Sequence, residues 1–210
     1  MIFYAVIQNT AKIAVESSVQ EKGKKSLSKT VVLYKTRYGS SKKYAEWIAE
    51  ELHGDLFDIE DVDPERLKDY DCIVFGGSLY ATGIIGLSTL KGNFKSFENK
   101  KVIIFSVGAS PARSEVIEDI KAKNFSPEIA EKIEFFHLRG GFDFKKLRLI
   151  DKILMILLKS KLKGKKRRGE ELSDDERGML AAYSTAVDFT SRKAIEPILE
   201  SISKFTHGNA

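Results

Sequence analysis

One cysteine, four prolines and three histidines stand among the 210 residues, and each scarcity excludes something. A lone Cys72 rules out an intramolecular disulfide and fits a reducing compartment such as the cytosol. No CxxC pair and no Cys/His cluster with metal-ligand spacing is present, and His53, His137 and His207 lie far apart in sequence. Each of the three reads as a surface or packing residue. No apolar run approaches the ~20 residues needed to cross a bilayer. The opening MIFYAVI is too short for a secretory core and has no basic stretch before it.

What remains is ordinary for a soluble globular chain: 42% apolar and 31% charged residues, enough for one well-packed domain with appendages. The net charge of +5 and a pI near 9.1 favour an anionic partner without identifying it. Residues 1–29 differ from the rest. They end in the lysine-rich EKGKKSLSK, which reads as a linker, so this segment is expected to be an extension of unknown role.

From Thr30 onward apolar runs alternate with helical spacing. Val31-Val32-Leu33-Tyr34 has the form of a strand buried on both faces. Tyr44, Trp47, Ile48 and Leu52 follow at spacings of three and four, on one helix face. Leu56 to Ile59 predicts a second strand, Asp71 to Gly77 a third, Lys101 to Val107 a fourth and Ile133 to Leu138 a fifth. Helices are expected around 87–98 and 114–122. After Gly140-Gly141 the pattern is helical only, around 145–162 and 174–204. Alternating strands and helices imply βαβ crossovers and a parallel sheet, here one α/β domain with a helical C-terminal part.

The most informative segment is Thr36-Arg37-Tyr38-Gly39-Ser40-Ser41, between the first strand and first helix. Hydroxyls and free amides at a helix N-terminus suit an anion, and a glycine lets the backbone approach it closely. The loop has neither GxxxxGK[ST] nor GxGxxG, which favours a monophosphate held without Mg²⁺. The plainer alternative is that Ser40 or Ser41 only caps the helix. In an open α/β sheet, ligands sit beyond the carboxyl ends of the strands. The segments Ser78-Leu79-Tyr80-Ala81-Thr82-Gly83 and Gly108-Ala109-Ser110-Pro111-Ala112-Arg113 fall there too, and Tyr80 could offer an aromatic face to a flat ring. No convincing nucleophile or acid/base set appears. Asp58, Glu60 and Asp61 read as a solvated edge.

On these residues the chain resembles the flavodoxins. VVLYKTRYGSSKKYAEWIAEEL is similar to their first strand, phosphate loop and first helix. The Thr-Arg-x-Gly-x-Ser form is closer to a branch that includes bacterial menaquinone-dependent protoporphyrinogen oxidases. The likeness continues through DCIVFGGSLYATG and KVIIFSVGASPAR into LRGGFDFKKLRLIDKILMILLKSKLKG, a stretch that simple flavodoxins lack. It implies a flavodoxin-like three-layer sandwich over 30–204, with a five-stranded parallel sheet of order 2-1-3-4-5, extra C-terminal helices and a short tail at 205–210. It also implies FMN, its phosphate held by Thr36 to Ser41 and its ring flanked by Ser78, Leu79, Tyr80, Ala81, Thr82 and Gly83 and by Gly108, Ala109, Ser110 and Arg113. Tyr38 stands where the branch often has an acidic residue, and the third-strand loop is one residue longer. The stretch between the fourth and fifth strands is shorter than in the oxidases.

The implied activity is that of an electron carrier or small flavin oxidoreductase, with a redox protein or a quinone as partner. Protoporphyrinogen oxidation and a flavin-free interaction module are the alternatives. Residues 147–168 add a further expectation. An apolar run from Leu147 to Leu158 leads into KSKLKGKKRR, with seven basic residues in ten. Either this helix packs on the sheet, or it meets an anionic membrane, which would place the cytoplasmic protein peripherally at the membrane's inner face. Nucleic acid is not expected, because no aromatics interleave the cations.

Overall fold

The computed structural model describes residues 29–208. The extension expected at 1–29 therefore lies outside the described residues except for Lys29, as do the last two residues of the tail. In chain order the elements are β1 (Thr30–Lys35), α1 (Ser40–Leu52), β2 (Asp55–Asp58), β3 (Cys72–Tyr80), β4 (Gly83–Ile84), α2 (Leu87–Lys91), β5 (Lys101–Gly108), α3 (Ser114–Asn124) and α4 (Pro127–Lys132). They continue with β6 (Glu134–Arg139), β7 (Gly141–Phe142), α5 (Leu149–Arg167), α6 (Asp174–Ala182), β8 (Val187–Asp188) and α7 (Glu196–Gly208).

Five strands pair in parallel in the order β2-β1-β3-β5-β6. With β5 and β6 counted as the fourth and fifth parallel strands, this is the expected order 2-1-3-4-5. Successive side chains on a strand point to opposite faces, so each apolar run feeds two cores. Val31, Leu33, Ile73, Phe75 and Ile104 join Ile59, Leu67, Leu90 and Ile120 on one face. Val32, Val74, Ile103 and Phe105 join Tyr44 and Ile48 of α1 with Ile198 and Ile202 of α7 on the other. The result is a three-layer α/β sandwich of the expected class. Gly76 sits opposite Phe105 in the β3–β5 register, and a Cβ there would come within 2.0 Å of the Phe105 ring.

Four expectations change. The third strand runs on to Tyr80 and folds back through Ala81-Thr82 onto β4, pairing Tyr80 with Gly83 and Leu79 with Ile84. The helix expected at 87–98 is split after α2, and a 3-10 turn at Phe94–Phe97 follows Gly92-Asn93. The pattern after Gly141 is not purely helical, because β7 pairs antiparallel with β8. The single helix expected at 174–204 is interrupted between Ala182 and Glu196 by that strand and a 3-10 turn. Helix α4 was not anticipated, although Ser126-Pro127-Glu128 is a helix-start signal, with proline at the first helical position.

Candidate functional site

Three loops converge at the carboxyl ends of β1, β3 and β5. The first opens at Gly39, whose φ of +96° lies in the left-handed region that glycine enters without steric cost. A Cβ on Gly39 would meet nothing within 4 Å, so the space beside this backbone is open. Helix α1 starts here with no side-chain cap, which answers the capping alternative for Ser40 and Ser41. The first-turn amides of α1 thus lack both an intrahelical acceptor and a capping oxygen, at the positive end of the helix dipole.

The hydroxyls divide. Thr36 Oγ1 accepts from the Gly39 N–H at 2.9 Å and Ser40 Oγ accepts from the Gly141 N–H at 3.0 Å. Each accepting hydroxyl still has its own O–H to donate. Ser41 is fully buried, and its Oγ lies 2.9 Å from Ser78 Oγ, which also accepts the Arg37 N–H at 3.1 Å. Ser41 and Ser78 therefore stitch the first loop to β3 and do not face the loop mouth.

Arg37 and Tyr38 turn to a residue outside the expected site, Asp151 in the first turn of α5. The Arg37 guanidinium meets its carboxylate at 2.8–3.0 Å through Nε and Nη2. The Tyr38 hydroxyl donates to the same carboxylate, and Tyr80 donates to Oδ1 at 2.9 Å. Tyr38 also accepts the Arg148 N–H at 3.2 Å, and Arg37 lies 4.0 Å from the Tyr80 ring centroid. One face of the Tyr80 ring is thereby covered by a cation. Burial alone would raise the Asp151 carboxyl, but the donors Tyr38, Arg37 and Tyr80 outweigh it and hold it below its ordinary value. The carboxylate in turn pushes the Tyr80 phenol upward. Asp151 was read in the sequence only as an interruption of an apolar run. Its helical spacing with Met155, Leu158 and Leu162 was the signal that places it on the inward arc.

The second loop is the β3–β4 hairpin. Ala81 carries a φ of +54°, unusual for a residue with a Cβ. Asn124, at the end of α3, holds this turn: its Oδ1 accepts the Ile84 N–H at 2.9 Å and its Nδ2 donates to Thr82 C=O at 2.7 Å. The Cβ position of Gly83 is nearly open, with Tyr80 O at 3.9 Å. The third loop is anchored by β6. Gly108 C=O accepts the Gly140 N–H at 2.7 Å, and Ala109 C=O accepts from Arg139 Nε at 3.3 Å. His137 Nε2 donates to Ser110 C=O at 3.2 Å, which leaves Nδ1 to accept from the buried Ser106 hydroxyl at 2.8 Å. Burial pushes the His137 imidazole below its ordinary value, so it is neutral. Arg113 points away to Glu115 at 3.1 Å. Leu79 packs inward against the core and contacts the Gly108 position.

A cavity of about 160 Å³ adjoins this third loop, bounded by Ala109, Ser110, Arg139, Phe142, Met155 and Phe189. A larger, open concavity of about 550 Å³ lies instead beside Lys101, Glu134 and Ser201, at the amino ends of β5 and β6 and away from all three loops. Cys72 is buried and its thiol is pushed up to about 12 by burial, so it offers no thiolate. Asp58 and Glu60 both pair with Lys35, in keeping with a structural edge.

An open parallel sheet with an uncapped helix start and two further loops at its carboxyl edge defines an α/β protein of the doubly wound class. A flavodoxin-domain family model matches residues 31–168, and the chain belongs to the flavodoxin family. An uncharacterised protein of Methanocaldococcus jannaschii is 35% identical over 104 residues, which is 46% of this chain and 69% of that protein. Among solved structures, a flavodoxin from the domain Archaea is 20% identical over 53% of this chain and 82% of its own, with a TM-score of 0.35. The Trp repressor binding protein from Bacillus subtilis is 18% identical over 53% of this chain and 83% of its own, with a TM-score of 0.40.

A flavin is the group this family implies, and the residues fit it. The open space beside Gly39, the uncapped amides of α1 and the remaining O–H donors of Thr36 and Ser40 are of the kind that would receive a flavin's phosphate.

Proposed function

We propose that this protein binds FMN and works as an electron carrier or small flavin oxidoreductase. The observation that carries the reading is the start of α1, uncapped and glycine-led, beside open space at the carboxyl edge of the sheet. FMN, with its terminal monophosphate, matches such a cradle better than riboflavin does. Thr36, Ser40 and the amides from Ser40 to Lys42 would hold the phosphate. Arg37 and Tyr38 act one step back, fixing the loop to Asp151. The hairpin at Ser78–Gly83 and the loop at Gly108–Ser110 would flank the ring, with Ala109 and Ser110 held by Arg139 and His137.

The flavin itself supplies the electron chemistry when bound. The chain's own part is to bind it, orient it and surround it with backbone amides. A redox protein or a quinone would exchange electrons with it.

A second reading, protoporphyrinogen oxidation with a quinone as acceptor, draws on the cavity beside Ala109. Its walls are largely apolar and include Arg139, but at about 160 Å³ it would take only one carboxylate-bearing arm of such a substrate, the macrocycle lying outside. Protein reconstituted with FMN should show flavin absorbance bands that bleach with dithionite and return when an artificial acceptor is added. Oxidation of protoporphyrinogen by the same sample, tested with and without a soluble menaquinone analogue, separates the two readings. Absence of flavin bands after reconstitution would leave the interaction module.

A further inference from the structure

Helix α5 uses only part of its circumference to fold. Asp151, Met155, Leu158 and Leu162 turn inward, while Leu149, Ile150, Ile153, Leu154, Ile156 and Leu157 stand between 50% and 74% exposed. At 3.6 residues per turn these six share an arc of roughly 160°. Six large aliphatic side chains on one open face far exceed the scattered surface leucine that needs no explanation.

The charges around this face restrict what can cover it. Exposed Lys145 and Arg148 precede it, and exposed Lys161, Lys163, Lys166 and Arg167 follow it. Lys165 and Arg168 are already paired, with Glu176 and Glu170. The only acidic residue in α5 is Asp151, buried against Arg37. Pairing with a second copy would set cations against cations, whether the two helices ran parallel or antiparallel. A surface with an apolar interior and negative charge on every side has the complementary pattern, and that is an anionic bilayer.

We propose that α5 lies in the plane of an anionic membrane surface, its aliphatic arc in the acyl boundary and its two basic ends among the headgroups. Lysine and arginine stems can reach outward from this depth, keeping their charges in the polar zone. No described helix is long and apolar enough to cross a bilayer, so the contact is along the surface. Through Asp151, the same helix grips Arg37, Tyr38 and Tyr80, so docking would bring the loop cluster close to the lipid. The inference does not depend on flavin binding.

Co-sedimentation of the full chain with phosphatidylcholine vesicles, with and without about one-third phosphatidylglycerol, tests it. The protein should pellet with the anionic vesicles only. Raising salt from about 0.1 M to about 1 M shortens the Debye length from ~10 to ~3 Å and should cut the bound fraction at least about threefold. The combined change Lys161→Gln, Lys163→Gln, Lys166→Gln and Arg167→Gln should weaken partitioning about tenfold or more. The pair Ile153→Gln and Leu157→Gln should do the same while leaving the thermal midpoint unchanged, because both residues are exposed. Equal binding to neutral and anionic vesicles, undiminished binding by either variant, or no binding by the parent chain would overturn the proposal. Dimers in sedimentation equilibrium that Ile153→Gln and Leu157→Gln dissolve, without vesicle binding, would assign the face to self-association.

Discussion

Asp151 gathers three donors from two loops onto one carboxylate, and it does so from a helix outside the βα repeat. A charge-assisted hydrogen bond is worth roughly 1.5–3 kcal/mol, and Arg37 retains partial solvent access. Asp151→Asn should therefore lower stability by about 2 kcal/mol near neutral pH, as read by urea unfolding. The folded carboxyl titrates below its ordinary value, so its stabilisation is present above pH ~3.8 and is lost as pH falls through the folded value. The gap between parent and variant should close in that acid range; a gap that persists there would contradict the charged latch. His137 gives a second dependence in a different window. Its folded imidazole is held neutral below the ordinary 6.5, so its contribution is full above pH ~6.5 and declines as pH drops below it. Replacing His137 with Gln should flatten the fall in thermal midpoint between about pH 7 and pH 5 relative to the parent chain. Neither residue's role was legible from the sequence: an aspartate inside an apolar run and a histidine in a strand look like interruptions until tertiary partners are known.

At the level of elements, the β3–β4 hairpin depends on one buried side chain. Asn124→Ala would strand the Ile84 N–H and the Thr82 C=O, and should cost about 2 kcal/mol in urea unfolding. A loss below about 0.5 kcal/mol would mean that water replaces the amide. The phosphate loop offers the complementary test. Gly39→Val forces a β-branched residue into a left-handed φ, a strain on the order of 1–3 kcal/mol, and crowds the open space beside the backbone. FMN affinity should fall much more than riboflavin affinity in this variant; equal losses would place the phosphate elsewhere. The five main strands were readable because strands buried on both faces leave uninterrupted apolar runs such as Val31 to Tyr34 and Val102 to Phe105. The region from Ala182 to Glu196 was not, since a two-residue strand leaves no periodicity to detect. Pro197, at the second position of α7, was the overlooked restart signal.

Across the whole molecule, a flavodoxin-family sandwich presents three loops at one edge of its sheet, and a C-terminal helix clasps the first of them. The placing of the three loops at the carboxyl edge was legible, because small-residue and hydroxyl-rich loops follow the first, third and fourth apolar runs and the strand order brings those ends together. The inward turn of Ser41 and the capture of Arg37 by Asp151 were not, because they depend on which neighbour reaches each side chain first. On the proposed reading, the start of α1 receives the phosphate of FMN. Parallel titration of flavin-free protein with FMN and riboflavin, followed by flavin fluorescence, tests it most directly. FMN should bind saturably and at least about tenfold more tightly than riboflavin, the difference arising from the phosphate contacts. Equal affinity for the two flavins, or no binding of either, would contradict it.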